Sequence, residues 1–148
     1  MCGGVEYQWA GKKRKTYFPM IHAQMPILMR SGKLKLFEWG RREREQGDLP
    51  ATGWARIDSI QDGKWDRFDH QQARIIVDQY MEKDRDRNSH WFKLEPGQYI
   101  QGLLVRSGDE QRVYVVTEPP PSHLATSHDR WPRIRFDPRL KDLPFRAL

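Results

Sequence analysis

Three residues of the types used in covalent and acid–base chemistry stand far apart along the 148-residue chain: Cys2, Glu82 and His128. Cys2 follows the initiator methionine, which is normally removed when a small residue comes next. Removal of Met1 gives Cys2 a free α-amine two carbons away from its thiol. Such a 1,2-aminothiol condenses with an aldehyde to an imine and then closes a five-membered thiazolidine ring through sulfur. Alternatively, the thiolate attacks a carbonyl as an N-terminal nucleophile.

The other two candidates are groups that move protons. His128 is followed by Asp129 and Arg130, and a histidine in that setting suits acid–base work near neutral pH; otherwise it is a capping or surface histidine. Glu82 ends a run rich in β-branched residues, where its carboxylate either faces a cleft or is an exposed charge at the end of a strand. Arg56 is either a phosphate clamp or a partner in a surface ion pair.

The tryptophans suggest a nucleic-acid partner. All six (Trp9, Trp39, Trp54, Trp65, Trp91 and Trp131) lie within three residues of a lysine or arginine. Aromatic faces stack on unpaired bases while cations contact phosphates, a combination typical of single-strand binding. The predicted nucleic-acid contacts are Trp39, Arg41, Arg42, Trp54, Arg56 and Arg130. The alternative is that the tryptophans belong to the core, beside surface charges, and residues 12–15 then form a solvated basic loop.

Composition narrows the classes of function. The chain carries 26 basic and 20 acidic residues, a net charge of +6, which favours an anionic partner. No apolar run is long enough for a membrane span and no signal peptide is visible. One cysteine excludes an internal disulfide, so we expect a cytoplasmic protein. Phosphate loops, nucleophile elbows and zinc-protease motifs are absent from the sequence, and we expect neither a cofactor nor a metal.

The elements that must position these residues are mostly strands. Hairpins are predicted over residues 26–39 and 99–117, the second ending at the prolines 119–121. A single strand is predicted over 74–82, a short helix within 58–68 and one helical turn over 122–127. Residues 136–148 are predicted to wrap the surface as a tail. The sum is a single α+β domain dominated by strands.

Several segments, in order, resemble the SOS-response-associated peptidase (SRAP) family, the abasic-site processing proteins. The matching pieces are Met1-Cys2-Gly3; residues 26–29 followed by Leu36-Phe37-Glu38-Trp39-Gly40; Trp54-Ala55-Arg56-Ile57-Asp58; residues 75–82; Gly102-Leu103; residues 115–119; and His128-Asp129-Arg130-Trp131-Pro132. They cover the chain from residue 1 to about residue 132. The resemblance implies a twisted antiparallel, barrel-like sheet with a few short helices.

The resemblance also implies an activity. Family members bind single-stranded DNA at an abasic site and join their N-terminal cysteine to the sugar aldehyde as a thiazolidine. On this reading Cys2 supplies amine and thiol, Glu82 assists the imine steps, His128 handles protons, and Arg56 clamps a phosphate. Loss of Met1 by self-cleavage accounts for the family's peptidase label. The expected partner is single-stranded DNA with abasic sites, bound by a monomer, with nucleoid association if the protein is bacterial.

The chain departs from the family pattern at two positions close to this chemistry. Trp54 stands where the family has an active-site asparagine, and Gly4 stands where the family has an arginine. Two alternatives therefore remain open. One is a non-catalytic module of the same fold that binds single-stranded nucleic acid, and the other is an N-terminal-nucleophile peptidase.

Overall fold

The computed structural model describes residues 2–141, which form two sheets. The strands are β1 (Cys2–Trp9), β2 (Lys12–Tyr17), β3 (Gln24–Leu28), β4 (Leu34–Trp39), β5 (Trp54–Arg56), β6 (Asp69–Ile75), β7 (Gln79–Lys83), β8 (Ser89–Lys93), β9 (Gln98–Ser107), β10 (Glu110–Glu118), β11 (Trp131–Pro132) and β12 (Ile134–Phe136). A five-residue helix, α1 (Ile57–Gln61), follows β5, and single 3-10 turns occupy Ser122–Leu124 and Pro138–Leu140.

The smaller sheet has four antiparallel strands in the order β2-β1-β7-β8. Its register places Cys2 opposite Glu82 and, one strand further, Glu82 opposite His90. Between Cys2 and Gly4 the register shifts by a bulge. Bulges re-aim side chains at the ends of strands, and here the bulge lies directly at Cys2.

The larger sheet closes into a five-stranded barrel. Its strands run β10-β4-β3-β6-β9, and β9 pairs again with β10 to complete the ring. All these pairings are antiparallel except β10 with β4, which is parallel. The short strand β5 also pairs with β10 in parallel, while β11 and β12 extend the sheet from β10 and β9.

The main apolar core contains residues from both sheets. Val5, Tyr7 and Tyr80 of the smaller sheet belong to the same buried cluster as Ile75 and Val115 of the barrel. Because a sheet with one apolar face must bury it, this cluster holds the inner face of the four-stranded sheet against the barrel. Within residues 2–141 no helix is long and apolar enough to cross a membrane.

The expected fold class is confirmed, because the described chain is mostly strand, with one short helix and a barrel-like sheet. Both predicted hairpins form, as β3–β4 and β9–β10, and β10 ends just before the prolines. The short helix and the helical turn also form, each shorter than predicted. Of the predicted tail, Phe136 ends β12 and residues 138–140 form a 3-10 turn, whose buried Leu140 lies against Ile76. Residues 142–148 of that prediction lie outside the described residues.

Two predicted elements were wrong. The strand predicted over 74–82 is two strands, since β6 ends at Ile75 in the barrel and β7 begins at Gln79 in the other sheet. The basic loop predicted over 12–15 is part of β2, an edge strand whose four cations are exposed. Exposed lysines on an edge strand discourage pairing with other chains, so the charge pattern that suggested a loop is compatible with a strand.

The loop between β4 and β5 depends on Gly40. Its φ is +53°, and a Cβ there would lie 2.1 Å from the carbonyl oxygen of Thr52 and 2.8 Å from the Cα of Gly53. These backbone atoms cannot move away from an added Cβ as the end of a flexible side chain can. Gly108, in the β9–β10 turn, also has a positive φ, +60°, but its Cβ position meets nothing within 4 Å.

We therefore expect Gly40→Ala to lower the free energy of unfolding by at least about 3 kcal/mol, because strain and a backbone clash add. The matched control Gly108→Ala suffers only the strain of a positive φ, about 1 kcal/mol. Urea unfolding of both variants measures the difference. Equal losses would show that the close approach at Gly40 is not what constrains the loop.

Candidate active site

The site is built on the pairing of Cys2 with Glu82 across β1 and β7. Both side chains are fully buried, with 0% of their surface exposed. The Cys2 thiol contacts the carbonyl oxygen of Gly4, with Sγ 3.6 Å from it. Buried carboxyls are rare unless they serve a structural or chemical purpose, and this one lies beside the only cysteine in the chain.

Burial changes the acidity of both groups. Removal from water raises the pKa of the Glu82 carboxyl to about 7, because the low-dielectric interior disfavours its charged form. Burial likewise raises the pKa of the Cys2 thiol, and the neighbouring Glu82 charge raises it further. At neutral pH the site therefore holds a protonated thiol beside a carboxyl that both gives and takes a proton readily.

A cluster of aromatic side chains begins beside this pair. Tyr80 lies two residues before Glu82 on the same face of β7, and burial together with the charges of Cys2 and Glu82 raises the pKa of its phenol. The ring of Tyr80 stacks on Phe92 at 5.5 Å and meets Trp131 edge-on at 5.8 Å. These rings limit access of water, which sustains the acidity shift of Glu82.

Trp54 lies directly against Cys2. Its indole Nε1–H donates a hydrogen bond to the carbonyl oxygen of Cys2 at 2.7 Å, and its ring packs on Phe18 at 4.9 Å. The segment that resembles the family's asparagine segment is thus the one that reaches the N-terminal cysteine. An indole offers one donor and no acceptor, whereas an amide offers both.

His128 reaches the same region from the segment before β11. It is 4% exposed, and its ring packs edge-on against Trp131 at 5.4 Å and against His90 at 6.1 Å. Its Nδ1 is buried, and among residues 2–141 it has no hydrogen-bond partner. Since buried polar atoms are nearly always satisfied, this nitrogen is available to a ligand or a water.

Arg56 and Arg130 converge at the end of β10. Arg56 pairs in register with Thr117, and the Arg130 guanidinium donates to the Thr117 carbonyl at 2.9 Å. Burial and the nearby positive charge of Arg56 lower the pKa of Arg130. Arg56 is exposed and forms a two-point ion pair with Asp58 at 2.9 and 3.1 Å. Two adjacent cations beside Trp54 form a site for a phosphate, provided that Arg56 exchanges Asp58 for it.

The structure corrects the roles predicted for Trp39, Arg41 and Arg42. Trp39 is fully buried and donates to the Gly53 carbonyl, so it has no face for a base. Arg42 is 4% exposed, and its guanidinium donates to the carbonyls of Phe18, Met20, Trp39 and Gly40 and to the Glu45 carboxylate.

Arg41 is half-buried and donates to the carbonyls of Leu49 and Glu45. With Arg42 it lines an open depression of about 470 Å³ beside Phe18, but both guanidinium groups are directed at the loop's own carbonyls. These residues hold the 40–53 loop, and thereby β5 and Trp54, in place. Of the other tryptophans, Trp65 and Trp131 are buried, and Trp9 and Trp91 are half-buried. The alternative prediction, that the tryptophans belong to the core, is therefore right for Trp39, Trp65 and Trp131.

Among the described residues, one group of side chains is spaced closely enough to hold a metal ion. Ligand atoms of His22, Glu38 and Glu45 lie within 4.8 Å of one another. Their carboxylates are already paired with arginine: Arg112 lies 2.8 Å from Glu38, and Arg42 lies 2.6 Å from Glu45. Two guanidinium groups compete with any cation there.

Sequence reasoning missed His90 and its partner. His90 is the register neighbour of Glu82 on β8, and one of its ring nitrogens, Nε2, lies 2.8 Å from the Asp84 carboxylate. The side chain is 48% exposed, so it joins the buried site to solvent. In the sequence, Glu82 and His90 flank a polar turn, and this pattern predicts a hairpin. The hairpin was missed because the sequence analysis predicted β6 and β7 as one continuous strand.

No protein-family model, curated protein or solved structure matches this chain. The function must therefore be argued from the site itself.

The raised pKa of Glu82 predicts how the stability of the fold changes with pH. A carboxyl whose pKa is about 7 in the fold and about 4.3 when unfolded stabilises the fold fully below pH 4. That contribution disappears as pH rises through 7. Between pH 4 and pH 8 wild type should lose up to about 3 kcal/mol relative to Glu82→Gln.

Urea unfolding of both proteins at pH 4, 6 and 8 measures this difference. Glu43→Gln, which removes an exposed carboxylate, is the control and should track wild type at every pH. A difference between Glu82→Gln and wild type that stays constant with pH would show that Glu82 does not titrate with a raised pKa.

Proposed function

We propose that the protein captures abasic sites in single-stranded DNA by forming a thiazolidine between Cys2 and the sugar aldehyde. The observation that supports this most directly is the register of β1 and β7, which sets the cysteine against a buried carboxyl with a pKa of about 7. A carboxyl of that acidity is suited to proton transfer at neutral pH. A purely structural cysteine needs no such neighbour.

The chemistry balances without a cofactor. After Met1 is removed, the Cys2 amine attacks the aldehyde carbon, and the carbonyl oxygen gains a proton. Loss of that oxygen as water leaves an imine. The thiol sulfur then bonds to the imine carbon while its proton passes to the nitrogen, so one aminothiol and one aldehyde give one thiazolidine and one water.

Each step needs proton transfers that the site's residues can provide. Glu82 as a carboxylate takes a proton from the amine or the thiol, and as an acid it protonates the departing hydroxyl. The thiol needs this help because burial raises its pKa, so that little thiolate forms unaided. His128, whose Nδ1 has no hydrogen-bond partner within residues 2–141, opens the sugar hemiacetal to the reactive aldehyde by taking the hydroxyl proton.

DNA binding is assigned to the cations and the ring beside Cys2. Arg56 and Arg130 contact a phosphate, and the exposed part of Trp54 stacks on a base or fills the space of the missing one. The net charge of +6 adds long-range attraction, which weakens as salt screens it.

A second candidate is a DNA-binding module without covalent chemistry. It is favoured by the complete burial of Cys2 under the Trp54 indole, which an aldehyde must displace or pass. This alternative predicts binding of single strands without any covalent product.

Incubation of the untagged protein with an abasic single-stranded oligonucleotide separates the two candidates. We expect a product that survives heating in detergent, and intact mass analysis should show protein without Met1 plus DNA minus one water. Cys2→Ser and Cys2→Ala retain an amine and should yield a product only after reduction of the imine. Heat-stable product formed equally by Cys2→Ala, or binding alone by wild type, would contradict the proposal. The same oligonucleotide without the abasic site is the control.

Trp54→Phe tests the contact that holds Cys2. Phenylalanine keeps an aromatic ring against Phe18 but removes the 2.7 Å hydrogen bond to the Cys2 carbonyl. We expect crosslinking to slow about fivefold, the equivalent of a hydrogen bond of about 1 kcal/mol, with DNA affinity unchanged. Trp9→Phe, at another half-buried tryptophan, which lies at the end of β1 opposite to Cys2, should crosslink at the wild-type rate. An equal effect of both substitutions would remove the positioning role of Trp54.

A further inference from the structure

A histidine–aspartate pair stands between the buried site and solvent. His90 faces Glu82 across the β7–β8 pairing, packs against His128 at 6.1 Å and bonds Asp84 at 2.8 Å. Backbone N–H groups of Asp86 and Asn88 donate to the other Asp84 oxygen, each at 2.9 Å. The carboxylate is thereby fixed in the turn and orients the imidazole.

We propose that His90, oriented by Asp84, is the proton relay that exchanges protons between solvent and the buried pair Glu82 and His128. This inference rests on the proposed crosslinking reaction and names a residue that the family resemblance does not assign. His90 acts through Glu82 and His128, so it is a positioning and relay residue, not one that bonds to DNA.

The need for a relay follows from the proton count. The amine of Cys2 reacts only when neutral, and an α-amine below about pH 8 carries an extra proton. That proton must leave a site where Cys2, Glu82 and His128 are all at most 4% exposed. His90 is a titratable side chain that packs against His128 and, at 48% exposed, also meets water. An edge-on contact between the two imidazoles is short enough for a single bridging water.

Charged and titratable groups lie around His90. Asp84 accepts a hydrogen bond from the ring and fixes its orientation. Glu82 lies across the strand pair, and His128 packs against the ring. Arg85 and Asp129 form an ion pair at 3.4 Å, and Lys83, Asp86 and Arg87 are the other charged residues of the β7–β8 hairpin.

The competing explanation is that His90 and Asp84 only brace the β7–β8 turn. The chain provides a matched control for that possibility: His70 on β6 bonds Asp66 at 3.0 Å, at a site remote from Cys2 in the sheet order. A bracing pair and a relay respond differently to added imidazole. A small base diffuses into the space of a truncated, half-exposed histidine and restores proton transfer, but it does not restore a turn.

The test is the single-turnover rate of crosslinking to a saturating abasic oligonucleotide between pH 5.5 and 8.5. We expect His90→Ala to slow the reaction about tenfold, less than the ~10²–10⁴ of a direct acid–base group. DNA affinity should be unchanged, and imidazole should restore the rate in proportion to its concentration. Asp84→Asn should shift the pH profile of the rate, whereas His70→Ala should match wild type.

Three outcomes overturn the relay. They are a wild-type rate and pH profile in His90→Ala, a slower rate that imidazole does not restore, and an equal loss in His70→Ala. Absence of any crosslink with wild-type protein would instead overturn the proposed function, and the relay with it. The wild-type reaction therefore distinguishes the two failures.

Discussion

The proposed site depends on the burial of one carboxyl group. Glu82 lies fully buried on the inner face of the four-stranded sheet, where its pKa is about 7. Hydrophobic packing against the barrel makes this possible, because Tyr80, Phe92 and Trp131 surround the inner face with rings. The same packing that stabilises the sheet thus generates the acidity that the proposed reaction uses, and a looser interface would return Glu82 to an ordinary carboxylate.

Strand β10 positions the parts of the site that lie outside the four-stranded sheet. It pairs with β4 and β9 to close the barrel, with β5 to bring up Trp54 and Arg56, and with β11 just beyond His128. Arg112 on this strand bonds Glu38, Glu110 and the Gly40 carbonyl, which fixes the start of the 40–53 loop. One central strand therefore fixes the position of groups from three separate parts of the sequence.

The sequence predicted the features whose signals are local. The β3–β4 and β9–β10 hairpins were found because a glycine turn separates two apolar runs, and that pattern fixes pairing between neighbours. The break between β6 and β7 was missed because residues 75–77 are all β-branched and buried, so periodicity shows no boundary where the chain changes sheets. Trp39 and Arg42 were misjudged because a one-dimensional pattern of aromatic and basic residues does not distinguish a stacking face from a buried scaffold. His90 could be found only through the register that sets it opposite Glu82.

In the proposed reaction, Trp54 leaves the proton transfers to other residues of the site, because its side chain offers less hydrogen bonding than an amide. An asparagine beside Cys2 could both donate to and accept from the reacting atoms, whereas the indole donates once, and that donation is occupied by the Cys2 carbonyl. Trp54 therefore positions the backbone of the nucleophile and leaves its amine and thiol without an amide neighbour from β5. In the proposed reaction, proton transfer falls to groups on the other side of Cys2. The cross-strand row from Cys2 through Glu82 to His90 leads from the buried thiol to a half-exposed histidine, which is the direction in which the proposed relay would carry a proton to water.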